Sequence, residues 1–319
     1  MIYHYRVVAW NSFGIVYGSD QTFRVGRIHA YAQSVLGDRP LVYYRFNETN
    51  SSVALNSGLF GEAVNGTYGA TVSLGDPSLV PAFGYAAGFN NTNTDVAVPA
   101  LGSHPRITIE AWLKPRSSAR FDYFDSIYAT DDWTPGALHT HLVDRFSFPE
   151  FEFSINGNDP QWVNPGAPSL FLTNRWVHLA AAYDSVAREV TTYVNGKPLT
   201  TNSFRTAVPV NLTAAHIGQF KGSANWFDGE IDEFAIYDSV LSAERIREHY
   251  QAAIGNPVLL SAPLTNKLVL SWVGPGLRLE ANADLANAAG WTPVIGGSNS
   301  PVTLIPSNSI NQFYRLKWP

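Results

Sequence analysis

The chain contains no cysteine. Disulfide staples and thiolate-held metals are therefore excluded. Charge is also scarce: Asp, Glu, Lys and Arg make up 15% of 319 residues, and the formal net charge is −5. Lys and Arg form no run, so nucleic acid and anionic membrane surfaces are poor partners. No apolar stretch approaches the ~18 residues of a bilayer-spanning helix, so no membrane insertion is expected. The opening residues MIYHYRVVAWNSFG lack an apolar core segment and a small-residue cleavage site, and do not read as a secretory signal. What the sequence does have is β-forming material. It is 45% hydrophobic and 13% aromatic, enough to bury sizeable cores, with abundant Asn, Thr, Ser, Gly and Tyr in the manner of secreted β proteins.

The length allows two or three domains, and three parts and a connector are readable. In residues 1–25, Tyr3, Tyr5, Val7 and Ala9 alternate with His4, Arg6, Val8 and Trp10. That is a strand, followed by a turn at Asn11–Gly14 and a second strand at Thr22–Val25. Two strands bury no sandwich core alone, so this part reads as the end of a larger unit, with Met1 an internal start. Its open edges leave self-association through the N-terminal strands as a prospect. Residues 26–40 (GRIHAYAQSVLGDRP) read as a linker with one helical turn. Residues 41–253 read as the main domain, with strands in LVYYRF, around Tyr85–Phe89, and in DVAVPAL, ITIEAWLKP, FEFSINGN, RWVHLAAAYD, VTTYVNGKPL, AAHIGQF and EIDEFAIY. Asn195-Gly196 and Asn156-Gly157 are two-residue hairpin turn signals. Many antiparallel strands with little helix imply a β-sandwich or barrel. Residues 254–319 are β-like again, set off by Asn256-Pro257 and Pro263. A segment of about 60 residues is marginal as a lone fold, so it is expected to lean on its neighbour.

One stretch changes period halfway. In GEIDEFAIYDSVLSAERIREHY (229–250), Ile231, Glu233, Ala235 and Tyr237 alternate with Asp232, Phe234 and Ile236, as in a strand. From Leu241 the spacing of Leu241, Ile246 and Tyr250 is helical. Ser242 stands at the N-cap position and Glu244 in the first turn. Alternation puts the Asp232 carboxylate among apolar neighbours, where it costs several kcal/mol unless paired or metal-bound.

The runs ITIEAWLKP (107–115), RWVHLAAAYDSVAREVTTYVNGKPL (175–199) and IGQF…FDGEIDEFAIYDSVLSAERIREHY (217–250), opened by LVYYRFNET (41–49), resemble a laminin G–like domain of the concanavalin A–like lectin/glucanase superfamily. The resemblance implies an all-β, two-sheet antiparallel jelly-roll sandwich, with the first strand beside the last and a short helix after the last. Tyr3, Tyr5, Val7, Ala9, Asn11 and Gly14 resemble the closing strands of a fibronectin type III domain. LRLEANADLANAAGWTPV and FYRLKWP resemble the C-terminal β modules of secreted bacterial proteins. The full expectation is therefore a partial fibronectin type III N-terminus, a jelly-roll domain and a small C-terminal β domain.

The resemblance also implies candidate sites. In the related glucanases an Asp on the closing strand holds a structural calcium. Carried over, Asp232 would be the side-chain ligand, with the region of Asn47 and Glu48 and the turn near Gly88 as carbonyl donors; the plainer reading is an Asp that accepts backbone N–H bonds or pairs with Arg. Pentraxins bind calcium and ligand through an acidic pair in the region of ATDDWTPG (129–136), which points to Asp131, Asp132 and Gln219. Lys221, however, stands where that pattern wants an acidic residue, and a solvated acidic loop is the alternative. Tyr123, Phe124, Trp133, Trp162 and Trp226 lie among Asp131, Asn164 and Asn225 in polar, turn-rich stretches. Flat rings beside amides and carboxylates suit sugars. Trp112 and Trp176 fit strand patterns and read as core. Catalysis is not expected: Glu150 and Glu152 share a strand face, but the third carboxylate of the glucanase pattern is replaced by Ile155, and Glu110 stands alone. His139 and His141 share a face but make a weak metal site by themselves. The function expected is non-catalytic recognition of a glycan or an extracellular protein, within a secreted or cell-surface bacterial protein. A structural or adhesive spacer is the alternative, and a glycoside-active enzyme the weaker one.

Overall fold

The computed structural model describes residues 2–5, 8–11, 14–17, 21–24, 29–79, 83–90, 94–116, 125–144, 149–163, 174–221, 225–255, 260–264, 267–272, 277–287, 289–298, 300–305 and 312–317, the first four segments and 260–264 as backbone pairing alone. The main body is an antiparallel two-sheet sandwich. One eight-stranded sheet, here the front sheet, runs in the spatial order Trp162–Val163, Pro149–Ile155, Leu138–Asp144, Asp125–Thr130, Ala215–Ile217, Val96–Val98, Gly66–Tyr68 and Val53–Ala54. The back sheet runs Lys197–Ser203, Glu189–Val194, Val177–Asp184, Arg106–Pro115, Asp228–Tyr237, Tyr85–Asn90 and Ser73–Pro77. Its eighth strand, Val42–Tyr44, pairs with the closing strand Asp228–Tyr237, so the first and last strands lie side by side as expected. Alternation then sorts the side chains. Leu138, Leu142, Phe151, Phe153, Phe234 and Ile236 meet between the sheets in one continuous core.

A second core covers the outer side of the back sheet. The helix α1 (Ala30–Gly37) and the helix α2 (Ala243–Ile254) pack there. Ser242 caps α2, its hydroxyl accepting the Arg245 N–H at 3.2 Å. Leu241, Ile246 and Tyr250 are buried, with Tyr250 stacked on Trp112 at 5.4 Å. The segment read as a linker is more than that: α1 spans eight residues, and Tyr31, Ala32 and Val35 are fully buried in the same core. Its apolar side chains tie it to the sandwich.

Two other readings change. Asn195-Gly196 does make a tight turn, with φ of 51° and 73°, joining Glu189–Val194 to Lys197–Ser203. Asn156-Gly157 does not: six residues, 156–161, separate Pro149–Ile155 from Trp162–Val163. Asn156 instead extends the ladder, its N–H bonding the Ala137 carbonyl at 3.0 Å.

The closing strand carries a bulge. Glu110 pairs with Ala235 and Trp112 with Asp232, so Glu233 and Phe234 together oppose Ala111. Glu233 adopts a φ of +52°. One extra residue reverses the phase. Ile231, Phe234 and Ile236 all enter the inter-sheet core, whereas Ala235 and Tyr237 face α2. Asp232 therefore lies on the outer side of the back sheet beside Trp112, not with Phe234 and Ile236.

Gly102–His104 pairs with Val210–Leu212, which buries Val210 and Leu212 in the inter-sheet core. The N-terminal and C-terminal strands pair among themselves. Ile2–Tyr5 pairs with Gln21–Arg24, and Val8–Asn11 with Gly14–Tyr17. Residues 260–317 form two three-stranded sheets around Leu270, Trp272, Leu277, Leu279 and Val302.

Candidate ligand-binding face

The outer side of the front sheet carries polar and aromatic groups in register. Trp162 pairs with Ser154, Ser154 with His139, His139 with Ala129, and Ala129 with His216. Since Leu138 and Leu142 point to the core, alternation places this row on the opposite side. The next row sets His141 opposite Glu152 and Ser126.

The loop after Asp125–Thr130 folds over that row. Trp133 stacks on Trp162, with centroids 5.4 Å apart and planes at 15°, and packs on His139 at 4.4 Å. His139 also meets Phe220 at 4.6 Å. An aromatic stack thus runs Phe220, His139, Trp133, Trp162. The Asn156 side-chain amide holds the Trp133 carbonyl. Burial, with the neighbouring His141, pushes His139 down to about 4, so it is a neutral ring at ordinary pH. Its Nε2–H donates to the Thr130 carbonyl at 3.1 Å. Trp162 is the open end of the stack, 43% exposed.

Carboxylates flank these rings. Asp131 accepts from Lys221 Nζ at 2.8 Å and lies 3.1 Å from His216 Nε2. His216 Nδ1 is 2.5 Å from Asp95 Oδ2. The cation beside Asp131 is thus a lysine, whose own pKa the hydrogen bond and charge of Asp131 raise. Asp132 accepts hydroxyls from Thr213 at 2.9 Å and Thr134 at 3.2 Å. Gln219 bridges to Trp226 in antiparallel register, and Phe220 and Lys221 follow Gln219 into the site. The Trp226 Nε1–H has no partner among the described residues. The structure therefore gathers Asp131, Asp132, Trp133 and Trp162, and joins the Gln219–Trp226 bridge to them through Phe220 and Lys221. Asn164, Tyr123 and Phe124 lie outside the described residues. His139, His216 and Asp95 escaped the sequence reading as parts of this face, because only strand register brings them together.

Glu150 and Glu152 do share a strand side, but Glu152 is fully buried, with His141 Nδ1 3.5 Å away. Glu110 lies in the back sheet beneath α1 and α2. It accepts from His178 Nε2–H at 3.1 Å, His249 Nδ1–H at 2.9 Å and the Tyr237 hydroxyl. His249 Nε2–H donates to Asp38 at 2.8 Å, and Asp38 takes Arg245 at 2.6 Å. With a carboxylate on each ring nitrogen, His249 carries both protons. Burial pushes Glu110 up, but His249 and His178 outweigh it and hold the carboxyl well below the usual range. Burial likewise lowers His249, yet Glu110 and Asp38 bring it out above its ordinary value.

The Asp232 carboxylate is fully buried. It accepts the Ser78 hydroxyl and, at 2.8 Å, the N–H of Glu233. Burial pushes it up to about 8, against the opposing Ser78 and Glu233 bonds and the Arg45 charge. Arg45 pairs with Glu233 at 3.2 Å, which the Tyr43 hydroxyl also meets. A buried carboxylate with a hydroxyl oxygen beside it suits a hard cation. The side chains of Asn47 and Glu48 are engaged elsewhere. Glu48 is spent on Tyr68 at 2.7 Å and the Leu55 N–H at 3.1 Å, and the Asn47 side chain on the Tyr85 N–H at 2.7 Å. Gly88 is no turn residue: it lies mid-strand opposite Glu230, two ladder steps from Asp232. Among the described residues no group of three or more His, Asp or Glu is arranged to hold a metal.

A laminin G family model of the concanavalin A-like lectin/glucanases superfamily matches residues 90–247. Solved structures share the fold. Domain 4 of AbnA, an extracellular GH43 arabinanase from Geobacillus stearothermophilus solved with arabinotriose, is 21% identical with a TM-score of 0.51; the match covers 67% of this chain and 98% of that one. The botulinum neurotoxin serotype D ligand-binding domain, solved with N-acetylneuraminic acid, is 14% identical with a TM-score of 0.55, over 83% of this chain and 70% of that one. No curated protein matches the chain.

Proposed function

We propose that the chain is a non-catalytic carbohydrate-recognition module of a secreted or cell-surface bacterial protein. The observation that carries this reading is the exposed Trp162 ring, backed by Trp133 and flanked by Asp131 and Asp132. A flat apolar face beside hydroxyl-binding carboxylates is what a sugar ring requires. The arabinotriose and sialic acid in the two related structures support it as company for this fold, although fold alone assigns no ligand. Among the described residues no helix is long and apolar enough to cross a membrane. Titration calorimetry of the whole chain against a panel of plant, bacterial and animal oligosaccharides tests the reading. Trp162→Ala is expected to abolish the binding seen with wild type. Wild type that binds no sugar, or a variant that binds as well, overturns it.

A spacer role is the second reading. The separate C-terminal core and the paired N-terminal strands favour it. On this reading residues 1–25 end a fibronectin type III unit, and residues 254–319 form a C-terminal module for surface attachment. Oligomers on size exclusion would favour this spacer role. Calcium belongs to the proposal at Asp232, with the Ser78 hydroxyl and backbone carbonyls completing the shell. Bound there, it would supply the positive charge that the buried carboxylate lacks.

A further inference from the structure

On the premise that Trp162 marks a sugar-recognition site, the same face narrows the class of sugar. Trp162 offers only one ring face. Its other face lies against Trp133, and Trp133 is itself closed off by His139. Trp133 is therefore a support, and the platform seats a single sugar ring. The charge around it is acidic. Asp95, Asp131 and Asp132 lie on the face or its rim, and Asp159 lies on the turn leading to Trp162. The basic side chains described beside them are already spent: Lys221 on Asp131 at 2.8 Å, Arg205 on Asp159 at 3.1 Å, and His216 between Asp95 and Asp131, which leaves Asp132 as the carboxylate paired with hydroxyls alone. The ring beneath Trp133 adds no positive charge. Asp132, meanwhile, already takes two hydroxyl donors, from Thr134 and Thr213, and a sugar offers that same group.

We propose that the Trp162 platform takes one uncharged sugar unit at a time, held by ring stacking and hydroxyl donation, and turns away carboxylated or sulfated sugars. An anionic sugar meets surplus carboxylate at close range, and such like-charge juxtaposition disfavours binding.

The test uses the whole chain and matched trisaccharides at low salt: arabinotriose, xylotriose and galactotriose against trigalacturonic acid and sialyllactose. At least one neutral sugar is expected to bind about tenfold or more tighter than the anionic ones, with a gap that narrows as salt screens the charges. Asp132→Asn is expected to weaken the neutral sugar. Affinity is expected to change by less than about threefold from trisaccharide to hexasaccharide, because further rings find no further platform. Equal or tighter binding of an anionic sugar overturns the charge inference while leaving recognition standing. A steep rise with chain length overturns the single-ring platform. Failure of every sugar to bind overturns the recognition reading itself.

Discussion

Asp232 shows how much one residue can turn on its surroundings. Removed from water, its carboxyl has a hydroxyl and an N–H for company and no ion pair among the described residues. Such a group either keeps a proton or holds a cation. The two states respond oppositely to substitution. With calcium in place, added calcium is expected to raise the melting temperature of wild type and a chelator to lower it. Asp232→Asn should lose both responses. An ion at a hundredfold excess over its dissociation constant contributes about 2.7 kcal/mol, a shift that a thermal scan resolves. If wild type ignores both calcium and chelator while Asp232→Asn melts no lower, Asp232 is a protonated partner of Ser78 and the calcium proposal fails.

At the scale of elements, the two helices are fastened to the back sheet through a buried chain of charge. Asp38 ends α1, His249 belongs to α2 and Glu110 to the strand beneath them. His249 faces Glu110, Asp38, Arg245, Tyr237 and Tyr31, and His178 shares Glu110 with it. Glu110 sits below its ordinary 4.5, so its contribution is present above that value and is lost as pH falls through the depressed one. His249 is raised above 6.5, so its contribution is complete below 6.5 and is lost as pH rises through the raised value. Urea unfolding from about pH 5 to about pH 9 is expected to show stability declining on the alkaline side. His249→Gln should make that decline shallower, leaving the part Asp232 contributes through its raised value, and cost about 3–5 kcal/mol near pH 6, since it leaves buried carboxylates without their cation. An unchanged alkaline limb in the variant would show that His249 is not the titrating bridge. The sequence made some of this legible and hid the rest for definite reasons. Ser242, Glu244 and the spacing of Leu241, Ile246 and Tyr250 announced α2, because caps and helical period are local. α1 was read as a single helical turn because a turn signal and a proline stand close behind its eight residues, and only Tyr31, Ala32 and Val35, buried against distant strands, make it a stable helix. The side occupied by Asp232 was misread because a bulge leaves no mark in the alternation of a single strand. The row from Trp162 to His216 was invisible because it is assembled from strands distant in sequence.

For the whole molecule, the separation of cores sets how it melts. The C-terminal unit buries its own residues, Leu270, Trp272, Leu277, Leu279 and Val302, and among the described residues it shares none with the sandwich. Its polar centre is Glu280, which holds Arg278 at 2.8 Å, Arg315 at 2.9 Å and Lys317 at 3.6 Å. Arg315 lies over the Trp291 ring at 4.2 Å. A unit of this size with so small a core is marginal, and calorimetry of the full chain is expected to show it melting first, as a transition of its own. Glu280→Ala leaves three cations facing one another and should lower that transition alone, by several degrees. A chain ending at Gly255 should lack the early transition, keep the later one and bind sugar as before, because the described partners in the Trp162 face and in the α1–α2 clasp all lie before it. Were the shortened chain to melt several degrees lower or lose its ligand, the C-terminal strands would be a prop for the sandwich, as the length of that segment suggests, and the two cores would be one cooperative unit.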